Sequence, residues 1–218
     1  LIQAYSRSQF YLSSKCQLNV GIHSMLLTLT NELSVEPRLS FRYRLNKSSS
    51  INFAYGLHSQ MEPFFTYISK QYSNESQSFI RQNHDLKFNK AQHFNIAYFK
   101  KFTQQFRIGL ETYYQQQYNM VTAVNYPISR VGGYDFTFES FDLNNGGKGQ
   151  NYGVEFSAER SFNKDYYILG NASIFEANYT ANDGITRNSS ANARYIFNLV
   201  FGKEWRIGKR KGKFNYLS

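Results

Sequence analysis

The sequence predicts an all-β fold, an antiparallel transmembrane β-barrel, on three observations. First, apolar and polar side chains alternate at period two along most of the 218 residues, which is the pattern of strands with two different faces. Second, the links between these segments alternate between short and long. Third, aromatic residues make up 18% of the chain, far more than a disordered protein carries. A transmembrane strand alternates between lipid and a wet interior, so the negative mean hydropathy of this chain is compatible with a membrane protein.

Five segments show the alternation most clearly, and each separates an apolar face from a polar one: 37–45, 50–61, 106–117, 150–162 and 192–203. Segments 17–27, 91–99 and 166–178 follow it less strictly, the segment at 2–12 is weak, and no stretch has a helical stripe. Together they predict about ten strands. The polar faces carry charged side chains that a dry core would exclude but a wet lumen accepts: Arg38, Arg42, Arg107, Glu111, Glu155, Glu159 and Arg194.

The links follow a regular order. Short, turn-forming links rich in Ser, Asn, Gly and Lys are predicted at 13–15, 46–49, 102–105, 162–165 and 208–212. The alternate links are longer and are predicted at 28–36, 61–89, 119–148 and 179–190. Outer-membrane barrels have this asymmetry, and strands of about 9–11 residues cross their bilayer. A soluble β-sandwich or solenoid with a solvated polar face is the alternative.

We interpret residues 1–218 as part of one larger outer-membrane β-barrel domain. The last segment begins at Lys213 and has only six residues, fewer than a bilayer needs. An open sheet would also leave unpaired edges in hydrocarbon. We therefore expect an N-terminal plug and the final strands to lie outside this sequence. No apolar run approaches the length of a membrane-spanning helix, and the single cysteine, Cys16, excludes a disulfide framework.

Several pieces of the sequence, in order along the chain, resemble TonB-dependent outer-membrane receptors. Residues 36–46 (EPRLSFRYRLN) are similar to an EPR-containing strand of that family, and residues 54–60 (AYGLHSQ) to the strand after it. Residues 147–156 (GKGQNYGVEF) resemble a late strand with a Y-G-V-E motif. Three dipeptides resemble the loop that lies two strands before the end of such barrels: Asn178-Tyr179, Asp183-Gly184 and Arg187-Asn188.

The resemblance implies a plugged barrel of about 22 strands that imports a scarce nutrient with energy relayed by TonB. The ligand would be a metal chelate, haem, vitamin, glycan or peptide. The implied partners are the lipid bilayer of the bacterial outer membrane, a TonB-type energy-coupling protein reached through the missing N-terminal part, the nutrient ligand and a surface lipoprotein. The alternatives are a passive porin-like channel and, less favoured, a barrel enzyme such as a protease or lipase, or a soluble β-sheet binding protein.

No catalytic, metal or cofactor site is predicted. The sequence has no nucleophile-elbow, zinc-protease or P-loop motif, and the run at 146–149 is interpreted as a loop that re-enters a strand. A barrel enzyme would have to draw on His58 and Asp85. Glu155 and Glu159 are predicted to balance arginines on neighbouring strands. The histidines have no metal-ligand spacing: His23, His58, His84 and His93.

The long link at 119–148 is the candidate ligand-binding region. Aromatic rings exposed in external loops can stack on a ligand, and the candidate residues are Tyr126, Arg130, Tyr134 and Phe136. The favoured alternative is that these rings, with Phe138 and Phe141, pack on one another and close the loop. The link at 61–86 allows the same two interpretations for its aromatic residues: Phe64, Phe65, Tyr67 and Tyr72.

The formal net charge of +10 has a simple distribution. Many basic residues lie in or beside the short links, where a barrel meets the headgroups of the periplasmic leaflet. They are dispersed at one or two per turn, so no nucleic-acid partner is predicted. The residues are Lys15, Lys47, Lys100, Lys101, Lys164, Lys209, Arg210, Lys211 and Lys213.

Overall fold

The computed structural model describes residues 1–73, 77–136, 141–163, 166–210 and 213–217. Within these ranges, ten strands form one antiparallel sheet in the order β1-β2-β3-β4-β7-β8-β9-β10, with β11 and β12 both pairing with β10. Two pairs, β5–β6 and β13–β14, stand outside that sheet. The elements are β1 Ile2–Tyr11, β2 Cys16–Leu27, β3 Glu32–Arg44, β4 Ser49–Gln60, α1 Phe64–Ile68, β5 Gln71–Ser73, β6 Ser78–Ile80, β7 Asn89–Lys101, β8 Phe106–Ala123, β9 Leu143–Asn163, β10 Tyr166–Thr180, β11 Thr186–Asn188, β12 Tyr195–Lys203, β13 Trp205–Arg210 and β14 Lys213–Leu217.

The cross-strand register sorts the side chains onto two faces, as the alternation predicts. One row on the apolar face crosses β3, β4, β7, β8 and β9: Leu39, Tyr55, Phe94, Tyr114 and Tyr152. The neighbouring row on the polar face crosses the same strands: Arg38, Gly56, His93, Gln115 and Asn151. The apolar face is exposed over many strands, which is the surface that lipid contact requires.

Three of the short links use the same side-chain device. In each turn a Ser, Asn or Thr oxygen accepts a hydrogen bond from a backbone N–H two residues ahead. The acceptors are Ser13, Asn46 and Thr103, and the distances are 3.1, 2.9 and 3.2 Å. Such side chains favour turns because they satisfy backbone donors locally. The short links predicted around 13–15, 46–49 and 102–105 are therefore confirmed.

The long link predicted at 28–36 is wrong. β3 begins at Glu32, so only residues 28–31 connect it to β2, and Glu36 pairs with His23. Two glutamates and a proline gave residues 32–37 the composition of a loop. Pro37 lacks an N–H, and the β3–β4 ladder starts only after it, at Arg38. The pairing of residues 32–37 is thus with β2 alone.

The buried carboxylate of Glu36 explains why this polar stretch folds as a strand. Its Oε2 lies 2.9 Å from His23 Nδ1 and 3.0 Å from Arg38 Nη2. Its Oε1 accepts a hydrogen bond from the Ser59 N–H at 2.8 Å. A buried charge is tolerated only when it is paired in this way. Glu36 therefore joins β2, β3 and β4 on the polar face.

The central strands are longer than the alternation predicted. β8 has 18 residues and β9 has 21, which shortens the link between them from 119–148 to 124–142. A strand of that length is about 60 Å, roughly twice the hydrocarbon thickness, so both strands extend well beyond the lipid. The other long links are 61–88 and 181–194.

Smaller differences concern individual elements. The link 61–88 contains α1, a helix that the sequence pattern did not predict. Arg194 lies in the link before β12, with a φ of 65°, and not on the polar face of a strand. Lys164, Lys211 and Phe138 lie outside the described residues. Among the residues that are described, no helix is long and apolar enough to cross a membrane.

Adjacent residues of β8 provide a test of the two faces. Leu110, on the apolar face, pairs with Tyr98 and Phe156. Leu110→Arg should lower the free energy of unfolding in lipid vesicles by about 2–4 kcal/mol, because a charge would face hydrocarbon near mid-membrane. The next residue, Glu111, is on the polar face, so Glu111→Arg is the matched control and should fold with little change. Folded fractions from heat-modifiable gel mobility measure both, and equal losses would contradict the assignment of the faces.

Candidate functional site

The long links at one end of the sheet fold over an apolar cluster. We call the links 61–88 and 124–142 together the loop cap. The buried members of the cluster come from β2, β8, β9 and both links of the cap: Met25, Leu27, Tyr67, Leu86, Phe88, Val121, Ala123, Phe136 and Leu143. Burial of these side chains gives the loop cap a small core of its own. Among the described residues, parts of both links therefore pack together on the ends of β2, β8 and β9.

One ion pair joins the two links of the loop cap. Arg130 Nε donates to Glu62 Oε2 at 3.0 Å, and Arg130 Nη1 donates to Asp135 Oδ1 at 3.2 Å. Glu62 is fully buried, and its Oε1 also accepts a hydrogen bond from Asn89 Nδ2 at 2.7 Å. Asn89 in turn accepts from the Val121 N–H at 2.8 Å. The Arg130–Glu62 pair is thus anchored to β7 and β8 as well as to both links.

The surroundings of Arg130 and Tyr67 raise the pKa of both side chains. Burial acts to lower the pKa of Arg130, but the hydrogen bonds and charge of Glu62 outweigh it and raise that pKa above its usual value. Burial raises the pKa of Tyr67 to about 12. The Tyr67 hydroxyl accepts a hydrogen bond from the Glu62 N–H at 3.2 Å. Tyr67 therefore acts as a neutral acceptor in the cap at physiological pH.

Two asparagine side chains form hydrogen bonds with backbone groups in and beside the loop cap. Asn83 Nδ2 donates to the Phe141 carbonyl at 2.9 Å, and Asn83 Oδ1 accepts from the Leu143 N–H at 3.0 Å. Asn145 makes the equivalent pair of bonds to the N–H and carbonyl of Lys87, at 2.8 and 3.1 Å. Each amide supplies both a donor and an acceptor, so one side chain replaces a rung of a sheet. These bonds join segments 58 or more residues apart in sequence.

The link 181–194 attaches to the end of β8 and to the loop cap. Asn182 Nδ2 donates to the Ala123 carbonyl at 3.0 Å, and Ser189 Oγ donates to the Val131 carbonyl at 2.9 Å. At its exposed tip, a hydrogen bond from Arg187 holds the pKa of Asp183 below its usual value. Two dipeptides of the family resemblance, at 183–184 and 187–188, therefore meet in one turn.

The structure gives the four predicted ligand-binding residues different surroundings. Phe136 is only 1% exposed, and its ring centroid lies 5.1 Å from that of Tyr134. Arg130 faces Glu62 and Asp135, and its guanidinium lies 5.7 Å from the centre of the Phe136 ring. Tyr126 is 57% exposed and contacts Phe141 edge-on, at 5.3 Å between centroids. As folded, only Tyr126 presents most of its ring to solvent.

The link 61–88 also divides its aromatic residues. In α1, Thr66 and Tyr67 are buried, while Phe64 and Phe65 are more than half exposed. In the β5–β6 hairpin, Tyr72 is exposed and packs edge-on against Phe79, at 5.5 Å. Some of these rings therefore pack against other aromatic residues, as Tyr72 does, whereas Phe64 and Phe65 remain exposed.

Sequence reasoning missed the residues that hold the loop cap together. Glu62 follows Met61 and the polar end of β4, and it precedes Pro63, so nothing local in the sequence indicates a buried charge. Its partner, Arg130, is 68 residues away, and no pattern in the sequence connects them. Asn83 and Asn145 lie in polar stretches typical of exposed loops. Their contacts depend on how the two links meet.

The other candidate residues have separate neighbours. The His58 ring packs against His93 at 4.8 Å, whereas Asp85 pairs with His84 at 3.1 Å. Among the described residues, no group of three or more His, Cys, Asp or Glu side chains is arranged to hold a metal ion. Residues 146–149 lie within β9.

The predicted charge balance on the polar face is confirmed for one glutamate. Arg107 Nε donates to Glu159 Oε2 at 2.9 Å, across the β8–β9 pair. Glu155 instead accepts a hydrogen bond from Ser173 Oγ at 3.2 Å and lies directly opposite Glu111. The polar face therefore carries both a neutralised pair and a pair of like charges.

An antiparallel sheet with an apolar face, a charged polar face and long links at one end defines this chain as part of an outer-membrane β-barrel. The sequence matches no protein-family model, and it matches no curated protein. Its fold is that of a piece of the barrel of TonB-dependent receptors, on the likeness to solved structures.

Three solved receptors illustrate the likeness. The ferric-catecholate import receptor Fiu of Escherichia coli K12 matches with a TM-score of 0.66 and 12% identity, over 94% of this chain and 32% of Fiu. The pyoverdine receptor FpvA of Pseudomonas aeruginosa matches with a TM-score of 0.65 and 13% identity, over 95% of this chain and 28% of FpvA. The alcaligin receptor FauA of Bordetella pertussis matches with a TM-score of 0.62 and 14% identity, over 95% of this chain and 34% of FauA. The chain thus spans about a third of the length of these receptors.

Removal of the Arg130 side chain should loosen the loop cap. Arg130→Gln leaves Glu62 as an uncompensated buried charge, which should lower the local opening free energy by about 3 kcal/mol. Removal of one partner of a buried ion pair typically costs about 3–5 kcal/mol. We expect the lower value here because the Arg130 side chain is 26% exposed. Native-state hydrogen exchange of amides in residues 61–88 and 124–136 measures this change.

Two controls isolate the ion pair. Arg187→Gln breaks the exposed pair with Asp183 and should leave exchange in the loop cap unchanged. Arg130→Gln combined with Glu62→Gln removes the buried charge and should recover part of the loss. Equal exchange in Arg130→Gln and Arg187→Gln would show that the Arg130–Glu62 pair does not hold the cap.

Proposed function

We propose that this chain is part of an active transporter of the bacterial outer membrane that takes up a ferric chelate. The observation that supports the proposal is the likeness to solved receptors over nearly the whole chain, combined with a folded loop cap at one end of the sheet. The similar structures are named for ferric catecholate, pyoverdine, alcaligin and ferric yersiniabactin, all as import or uptake receptors or receptors of the outer membrane.

On this proposal each part of the structure has a task. The apolar face contacts lipid, and the polar face lines a wet interior. The short links face the periplasm, and the loop cap faces the medium, where the ligand arrives. A TonB-type protein supplies energy through a part of the protein outside this chain. The chain performs no catalysis.

Uptake measurements test the proposal directly. Cells that carry the full-length gene should accumulate radiolabelled iron from at least one of the ferric catecholate, pyoverdine, alcaligin or yersiniabactin complexes. Deletion of the gene should abolish that uptake, and so should a protonophore or deletion of the TonB-type protein. Uptake that continues without energy would instead favour the passive porin-like channel.

We further propose that the loop cap contributes to the ligand site, with Tyr126, Arg130, Tyr134 and Phe136 as its candidate residues. Tyr126 is the candidate that needs no rearrangement, because most of its ring is already exposed. Aromatic stacking contributes about 0.5–1.5 kcal/mol beyond area burial. Arg130 could pair with an anionic ligand only in exchange for one of its present carboxylate partners.

Substitution of Tyr126 should weaken binding without loosening the cap. Tyr126→Ala should raise the dissociation constant for the transported ferric complex about 3- to 10-fold, measured on the purified full-length receptor. Phe102→Ala, which removes an exposed ring from a short turn at the opposite end, is the matched control and should leave affinity unchanged. Unchanged affinity in Tyr126→Ala would remove Tyr126 from the site but would leave the uptake proposal intact.

A further inference from the structure

A cleft lined by positive charges lies at the short-turn end of the sheet, at the opposite end from the loop cap. We call it the basic cleft. It has a volume of about 370 Å³, and none of its lining residues is acidic. Six lining residues are cations: Arg42, Arg44, Lys47, Lys100, Lys101 and Arg107. They come from the last residues of β3, the turn after it, the end of β7 and the start of β8.

The register explains why these charges meet. Arg44 pairs with Ser50, Ser50 with Phe99, and Lys101 with Arg107, across four neighbouring strands. Strands in a sheet are about 4.8 Å apart, so the β3 and β8 backbones lie roughly 14 Å apart. The small Ser50 side chain between them leaves space on the polar face. Long basic side chains of β3 on one side and of β7 and β8 on the other, with Ser50 and Phe99 between them, therefore line a cleft.

The charges of the basic cleft are poorly neutralised. Arg107 pairs with Glu159, at 2.9 Å from its Nε. Within the part of the chain that the structure describes, Arg44, Lys47 and Lys101 form no ion pair. Like charges held at this spacing repel one another and raise the energy of the folded state. A bound anion would remove that cost.

A neutral partner positions one further cation of the basic cleft. Arg42 Nε donates to Asn52 Oδ1 at 3.1 Å, a neutral partner that orients the guanidinium without neutralising it. Lys100 pairs with Ile108, so its side chain lies on the apolar face, where its Nζ is 5.1 Å from the centre of the Phe102 ring, and it adds no donor to the polar face. The cleft therefore combines oriented donors with an excess of positive charge, which are the two requirements of a site for a multiply charged anion.

We propose that the basic cleft binds a phosphate-bearing anion. Guanidinium groups form paired hydrogen bonds with phosphate oxygens, and lysine ammonium groups add point charge. The volume exceeds that of one phosphate and suits a diphosphate or a phosphorylated headgroup. The anion comes either from solution or from a phospholipid at the membrane surface beside the short turns. The site is independent of the nutrient that the loop cap receives.

Binding of pyrophosphate tests the soluble source. Calorimetry is done on the full-length protein in a neutral detergent, after removal of bound lipid. Arg44→Gln with Lys101→Gln should weaken pyrophosphate binding about tenfold or more. Arg44→Lys with Lys101→Arg keeps the charges and should retain most of the binding. Lys87→Gln with Lys148→Gln removes the same charge at the loop end and should have no effect.

Native mass spectrometry tests the lipid source. The full-length protein, purified without lipid removal, should carry phospholipid that the Arg44→Gln and Lys101→Gln pair loses and the Lys87→Gln and Lys148→Gln pair retains. Loss of either ligand in the first pair alone supports the basic cleft and identifies its source. If both pairs fold, by heat-modifiable mobility, and neither ligand distinguishes them, the proposal is overturned.

Discussion

The architecture of the loop end depends on one buried carboxylate. Glu62 leaves water when the links 61–88 and 124–142 close, and a buried carboxylate is stable only if its charge and lone pairs are met. Arg130 and Asn89 supply those partners from two different segments. A buried ion pair adds little net stability compared with apolar packing. We therefore interpret the pair as a determinant of which links meet and in what arrangement, while the apolar cluster supplies most of the stability.

Polar side-chain contacts also determine how strands meet on the polar face of the sheet. Glu36 unites three strands through His23, Arg38 and the Ser59 N–H. His93, Gln115 and Asn151 form a hydrogen-bonded row at 3.1 and 2.8 Å. Such contacts fix the register from inside, because a shift by one residue would turn every polar side chain to the apolar face.

The sequence predicted the strands well because period-two alternation is a local property with a strong physical cause. It predicted the wrong start for β3 because Glu32, Glu36 and Pro37 have the composition of a loop, and only their partners on β2 and β4 make them strand. The basic cleft was visible as scattered lysines and arginines, but the register that gathers them was not. The loop cap was the least predictable part, because Asn83, Asn145 and Glu62 each bind at least one partner 58 or more residues away in sequence.

If the loop cap receives the ligand, as we propose, its packed core restricts which residues can contact that ligand. Phe136 and Tyr134 are held by ring contacts within the cap, so a ligand that stacked on Phe136 would first have to open that core. Rings that are already exposed on a packed support lose little conformational freedom when a ligand binds. Tyr126 in one link and the Phe64–Phe65 pair in the other meet that condition. The same packing therefore buries Phe136 and leaves Tyr126, Phe64 and Phe65 exposed on a fixed support for the proposed ligand.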